Sequence, residues 1–279
     1  MANQLEPMRD GQTERPSMLV PELEGTLRAH NVKLPPEAQR ASGIRILGRL
    51  VRSVVYTTDI AIIRNCDADA VFAVYPFTPQ QVISEMLVKA SSIPVLVGVG
   101  GGTTGGSRCA VLASNAEAAG AYGVVLNAPA SNATVEMVSR VVDIPVIVTV
   151  VDGDSDVARD RIESGASVLN VSAGKGTPSV VARLRERYPE LPILATGGRT
   201  GASIEATVVA GANAVICTPP SNRELFSPIM ERYRSSVGSQ GQLRELRPLS
   251  AAAQDEMRQH FRELRDGVLA TELGAERTR

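Results

Sequence analysis

Few side chains in this sequence can do acid–base or nucleophilic chemistry, and their types narrow what is feasible. The histidines are His30 and His260, near the two ends, and the lysines are Lys33, Lys89 and Lys175. A mechanism in the middle of the chain must therefore draw on Lys175, on aspartates, and on hydroxyl, amide and backbone groups. In dry surroundings the Lys175 amine would shed its proton more readily and could form a Schiff base with a ketone or aldehyde. In water it would be a simple charge contact for an anion, or a solvated loop residue. Asp152 and Asp154 suit a general base or Mg²⁺ ligands. The competing reading has Asp154 capping the next helix and Asp152 in solvent. Asp59 divides the same way, between a rim acid and a helix cap. Cys217 lacks a neighbouring histidine to activate it, so a buried strand-end cysteine fits it better than a nucleophile. Asp152-Gly-Asp-Ser-Asp156 imitates a calcium loop, but Val157 stands where that loop needs glycine, which excludes calcium.

Two glycine-rich turns could hold a ligand through backbone amides. The first is Gly98-Val-Gly-Gly-Gly-Thr-Thr-Gly-Gly-Ser107. Glycines here permit close approach to a ligand, and free amides before a helix start favour an anion. Gly100, Gly102 and Gly105 also satisfy G-x-G-x-x-G. A dinucleotide fold would require an acid after the next strand, where this chain has Asn127. The second turn is Ala195-Thr-Gly-Gly-Arg-Thr200, whose Gly197 and Gly198 suit a phosphoryl or carboxylate group, with Arg199 beside them.

Eight short apolar runs must position these groups. They are Ser53–Thr57, Val71–Tyr75, Pro94–Val99, Gly123–Asn127, Pro145–Val150, Ser167–Val171, Pro192–Ala195 and Ala214–Cys217. Each is followed by turn residues and then a helical stretch. Continuous Val/Ile runs of this length read as strands covered on both faces. Eight strand–helix units predict an α/β fold, a (β/α)8 TIM barrel, whose site lies after the strand ends. That rim gathers Gly100, Gly101, Gly102, Thr103, Asn127, Asn170, Ser172, Thr196, Gly197, Gly198, Arg199 and Ser221 as substrate contacts. Lys175, Asp152 and Asp59 are the candidate catalytic groups.

Helix signals support the register. Thr177-Pro178 reads as an N-cap followed by proline at the first helical position. Ser221-Asn222-Arg223-Glu224 fits a capping box, and Gly120, Gly165 and Gly211 sit where helices should stop. Residues 1–48 read as an N-terminal arm and capping helix, the latter over Pro36–Arg52 and closing the barrel bottom. Residues 49–236 form the barrel. Residues 237–279 hold a linker, set at Ser235–Gln242, and an amphipathic helix with Met257, Phe261, Leu264 and Val268 along one stripe. That stripe packs on its own barrel or on a second subunit; a homo-oligomer is expected.

From Val168 to Pro219 the sequence resembles the phosphate-binding barrel superfamily, particularly keto-deoxy-phosphogluconate aldolase and thiamine phosphate synthase. The likeness rests on a sixth strand ending in polar residues, the Ala-Thr-Gly-Gly turn, and Ala-Gly-Ala-Asn-Ala-Val leading into the eighth strand. It implies a phosphate held at Gly197–Arg199. Two departures stand against a full carry-over. Thr218-Pro-Pro-Ser221 replaces glycine and serine after the eighth strand, and the prolines remove amide donors. Val168–Ser172 lacks the aldolase's Schiff-base lysine, and Lys175 lies just beyond it. The block Val54–Tyr233, with Tyr75-Pro-Phe-Thr-Pro79 and Thr218–Asn222, also resembles a bacterial barrel family loosely labelled as hydrolases.

Composition excludes several classes. The net charge of −1 offers no field for nucleic acid or an acidic membrane surface. Hydrophobic residues at 43% support a large core, but aromatics are only 3% and Trp is absent, so Val, Ala, Ile and Leu must fill it. No long apolar run or signal-peptide pattern occurs, and Cys66, Cys109 and Cys217 show no pairing pattern; a cytoplasmic location is expected. The expected partner is a small anionic substrate. The leading expectation is a lyase, aldolase-like or isomerase enzyme acting on a phosphorylated or carboxylated carbonyl compound. A hydrolase using an Asp-activated water and a non-catalytic binding barrel are the alternatives. No dedicated metal site or cofactor is expected; Mg²⁺ on the aspartates stays open, and FMN is not expected.

Overall fold

The computed structural model describes residues 32–153 and 155–237. His30, Asp154, His260 and the expected amphipathic helix lie outside the described residues. The chain opens on a short 3-10 helix, Pro36–Arg40, and a hairpin of β1 (Ile44–Ile46) and β2 (Arg49–Val51). Eight barrel strands follow: β3 (Ser53–Tyr56), β4 (Ala70–Ala73), β5 (Val95–Gly100), β6 (Gly123–Leu126), β7 (Val146–Val150), β8 (Val168–Val171), β9 (Ile193–Gly198) and β10 (Ala214–Cys217). The helices between and after them are α1 (Ile60–Asn65), α2 (Gln81–Ala90), α3 (Ser107–Ala118), α4 (Asn132–Ser139), α5 (Ser155–Glu163), α6 (Thr177–Arg187), α7 (Gly201–Val209) and α8 (Asn222–Val237).

All eight strands are parallel, and β10 pairs with β3 to close the ring in the order β3 to β10. The α/β (β/α)8 barrel expected from the alternation is the fold. Its strands need no polar face because successive side chains point to opposite sides and both sides are covered. Val54, Phe72, Leu96, Val125, Ile147, Val168, Leu194 and Ile216 form the inner core. Their chain neighbours Val55, Val71, Val97, Val124, Val148, Leu169, Ala195 and Val215 pack outward on the helices.

The expected helix over Pro36–Arg52 is corrected. Its first five residues are 3-10, and the rest is an antiparallel hairpin with Ile44 opposite Val51 and Ile46 opposite Arg49. Ile46 and Val51 join the inner core, so this segment closes the barrel bottom as a hairpin. Two smaller corrections concern helix ends. Thr177 is the first residue of α6 rather than its cap, and its hydroxyl accepts from the Ala173 amide at 3.1 Å. Helix α8 runs to Val237, through the start of the expected linker. Gly120, Gly165 and Gly211 do follow helix ends with positive φ. Among the described residues, no helix is long and apolar enough to cross a membrane.

Candidate functional site

The inner face turns polar towards the carboxyl ends of the strands. Thr149, two residues beyond Ile147, is 9% exposed, and Asn170, two beyond Val168, is 3% exposed. They stand opposite each other in the β7–β8 register, and the Asn170 amide donates to the Thr149 hydroxyl at 3.1 Å. The Asn170 side-chain oxygen is buried without a hydrogen-bond partner among the described residues. Leaving such an acceptor unsatisfied costs about 1–3 kcal/mol. Thr196 and Ser172 continue this uncharged ring, both half-buried.

One concave space opens beside it, a cleft of about 190 Å³. One wall comes from the segment joining β4 to α2: Val74, Tyr75, Pro76, Phe77 and Pro79. Phe77 is 74% exposed, and the Tyr75 hydroxyl is fixed by the Gln80 amide at 2.8 Å. The other wall is the glycine loop after β5, with Gly98, Gly100, Gly102, Thr103 and Thr104, while Asn127 completes the lining. The loop's shape depends on two glycines. Gly100 has φ 149°, and a Cβ there would fall 2.3 Å from Cys109 Sγ. Gly101 has φ 104°, and its Cβ would fall 2.5 Å from the Asn127 backbone. Only glycine reconciles these torsions with that packing.

Backbone accounting shows what the loop leaves over. The Gly101 amide donates to the Thr104 carbonyl at 2.9 Å, closing a turn, and the Gly106 amide donates to the Thr134 hydroxyl at 3.1 Å. Between them, the amides of Gly102, Thr103, Thr104 and Gly105 have no acceptor among the described residues. Thr104 is 4% exposed, and its hydroxyl also lacks a partner. Thr103 and Thr78 hydroxyls face each other at 3.5 Å, linking the two walls.

The second glycine turn is arranged differently. Glu224 lies over the start of α8, where its carboxylate accepts from the Ser221 amide at 2.6 Å and the Ser221 hydroxyl at 2.7 Å. Arg199 donates to both Glu224 oxygens at 3.0 and 3.1 Å. Burial pushes the Glu224 carboxyl up, but the Ser221 and Arg199 contacts outweigh it and hold the group below the usual carboxylate range. The capping box read from the sequence is formed. A protein carboxylate thereby takes the donors of Ser221 and Arg199 that an anionic ligand at this turn would use.

The three candidate catalytic residues all lie after strand ends. Lys175 is exposed in a 3-10 turn, Gly174–Gly176, after β8. It lacks the dry surroundings that favour a Schiff base. Because β8 is four strands from β4 in the ring, Lys175 stands across the barrel from the aromatic wall. Asp152 is exposed after β7. Asp59 caps α1: one carboxylate oxygen accepts from the amides of Ala61 and Ile62 at 2.8 and 3.2 Å, and the other from the Asn222 side chain. Cys217 is 1% exposed, and burial, with the charges of Asp67 and Glu37, pushes its thiol up to about 12. It is a buried strand-end cysteine, as the sequence suggested.

Sequence reasoning ended a strand at Tyr75 but missed the wall that Tyr75 builds with Phe77. Tyr75-Pro-Phe-Thr-Pro79 was a usable signal, since two prolines hold a short segment extended and expose the aromatic between them. The role of Thr104 had no sequence signal apart from its neighbours in the glycine run.

No protein-family model matches the chain, and no curated protein matches it. Solved structures do. A phosphonomutase-like protein from Burkholderia cenocepacia J2315 is 15% identical with a TM-score of 0.51, covering 74% of this chain and 100% of that one. Phosphonopyruvate hydrolase in complex with oxalate and Mg²⁺ is 13% identical with a TM-score of 0.55, over 84% and 96%. The enzyme 2,3-dimethylmalate lyase, of the PEP mutase/isocitrate lyase superfamily, is 13% identical with a TM-score of 0.52, over 78% and 93%. At these identities the likeness establishes the barrel fold alone. Among the described residues no group of three or more His, Cys, Asp or Glu converges on one point, and both Asp59 oxygens are engaged by amide donors. The chain is thus a TIM barrel similar in fold to phosphonate- and carboxylate-handling enzymes, with an uncharged cleft beside its polar inner ring.

Proposed function

We propose that the protein is a small-molecule enzyme of the lyase or isomerase type, acting on a carboxylated or phosphorylated carbonyl compound at the carboxyl ends of its barrel strands. The observation that carries this reading is the row of four amides, Gly102 to Gly105, without protein acceptors beside a concave space. Such amides favour a negative charge without supplying one of their own. Gly100, Gly101, Gly102, Thr103 and Asn127 hold the anionic end. Asn170, Ser172 and Thr196 face the carbonyl or hydroxyl part. Lys175 supplies a cation or an amine, and Asp152 exchanges a proton with solvent access. Gly197, Gly198, Arg199 and Ser221 are the weaker anion contact, because Glu224 competes there. The structural neighbours are named for phosphonopyruvate, 2,3-dimethylmalate and oxaloacetate, all small carboxylates.

The test is to incubate the purified protein with pyruvate or oxaloacetate, add borohydride, and map the adduct by mass spectrometry. One added mass at Lys175, absent from Lys175→Met, would establish a covalent route through its amine despite its exposure. Turnover with an unmodified Lys175 would remove the covalent route and leave Lys175 as a charge contact. If ligand-observed NMR detects no 2-oxo acid binding, the whole reading falls. A hydrolase is the second reading, favoured by the exposure of Asp152 and by phosphonopyruvate hydrolase among the neighbours.

A further inference from the structure

The two walls of the cleft are chemically unlike, and the difference specifies a ligand with two unlike ends. On the glycine-loop side are unpaired amides and Thr104, whose nine-tenths-buried hydroxyl has no partner. Among the described residues, no Lys, Arg, His, Asp or Glu lines the space. On the opposite side, Tyr75, Pro76, Phe77 and Pro79 present an apolar surface. Phe77 keeps 74% of its surface in water, in a chain with only four Phe and no Trp. An aromatic ring held out between prolines contributes nothing to the core, and it gains by being covered.

Size narrows the class further. At about 190 Å³ the cleft is smaller than sites for drug-sized ligands, which run roughly 300–1,000 Å³. It slightly exceeds the about 150 Å³ that accommodates a benzene ring in an apolar cavity. One ring-sized apolar group with a compact anion attached fits.

We propose that the cleft between the Tyr75–Pro79 segment and the Gly100–Gly105 loop is a subsite for a carboxylate carrying a ring-sized apolar group, with the carboxylate on the loop amides and the apolar group against Phe77. This deepens the functional reading above and rests on it for the anionic end, making the substrate an aryl- or bulky-alkyl-substituted acid in place of the smallest oxo acids. Apolar burial against Phe77 supplies the selectivity, and the amides orient the charge.

Binding of phenylacetate, acetate and benzyl alcohol to the full chain tests this by calorimetry or ligand-observed NMR. None of the three has the reactive carbonyl, so the subsite is read separately from any turnover. Phenylacetate is expected to bind at least about tenfold more tightly than either of the others. Phe77→Ala, at an exposed position that folding does not need, should bring the phenylacetate-to-acetate ratio close to one. Equal affinity for phenylacetate and acetate, equal affinity for phenylacetate and benzyl alcohol, an unchanged ratio in Phe77→Ala, or no binding of any of the three overturns the proposal. Phenylacetate bound as expected, with phenylpyruvate neither trapped nor turned over, would overturn the enzyme reading and leave the subsite standing.

Discussion

Glu224 shows how one side chain can decide what a loop is available for. Its carboxyl is held below its ordinary value of 4.5 by Ser221 and Arg199 despite partial burial. The unfolded chain therefore binds a proton more readily, so this contact stabilises the fold above the ordinary carboxylate value and is lost as pH falls through the lowered one. Glu224→Gln keeps the cap but removes the charge, and should lower stability by roughly 0.2–1 kcal/mol at neutral pH and flatten the acid limb of the stability–pH curve, measured by urea titration. An unaltered acid limb would show that the pair with Arg199 is inconsequential. At this scale the sequence was partly legible. The Ser221-x-x-Glu224 spacing announced the cap, and Asp59 was readable as either cap or acid. It did not show that the same carboxylate would engage Arg199 and so compete for the second glycine turn, because that depends on how the ends of β9 and β10 meet. Phe77 was equally opaque: exposure belongs to the folded surface, and no local pattern encodes it.

Among the elements, the hairpin is where the sequence reading and the structure diverge. Ile44, Leu47, Leu50 and Val51 fit a helical stripe, yet Ile44, Ile46 and Val51 also fit two short strands facing the inner core. Gly43 and Gly48, with φ of 92° and 81°, settle it, since a helix would not keep glycines there. At the turn itself Leu47 has φ 46° and is followed by Gly48, positive torsions at both central positions, as in a type I′ turn. Leucine carries a penalty of about 1–2 kcal/mol in that region. Because Leu47 is 60% exposed, Leu47→Asn forfeits little packing and should raise stability by roughly 0.5–1 kcal/mol. A lower thermal midpoint in this variant would mean that Leu47 packs on something that covers it. The eight barrel strands, by contrast, were readable within a residue or two at most ends. Burial on both faces leaves an uninterrupted Val/Ile signal, and Gly, Pro and Asn punctuate it.

At the level of the whole molecule, ring closure is reinforced at the bottom by Asn213, just before β10. Its side-chain oxygen accepts from Arg185 at 2.6 Å and from the Ile193 amide at 2.9 Å, and its side-chain nitrogen donates to Ser42 at 2.9 Å. Its carbonyl accepts from the Gly43 amide at 2.7 Å. One residue thus ties α6, β9 and the start of the hairpin together across 171 positions of sequence. Asn213→Ala should lower stability by about 2–3 kcal/mol, since a partly buried guanidinium loses an acceptor, read as a shift in the urea midpoint with unchanged slope. A shift under about 0.5 kcal/mol would mean that Arg185 is satisfied by its backbone acceptors alone. The closed topology was legible from the eight-fold alternation, whereas this tie was not, because its partners are brought together only by closure.

The hairpin has one more consequence. With Ile46 and Val51 packed in one cluster with Val54, Val168, Leu194 and Ala214, the hairpin plugs the amino-terminal end of the ring. Such a plug leaves the far end, where the loops carry Phe77 and Thr103, as the face on which the barrel can vary without loosening its core.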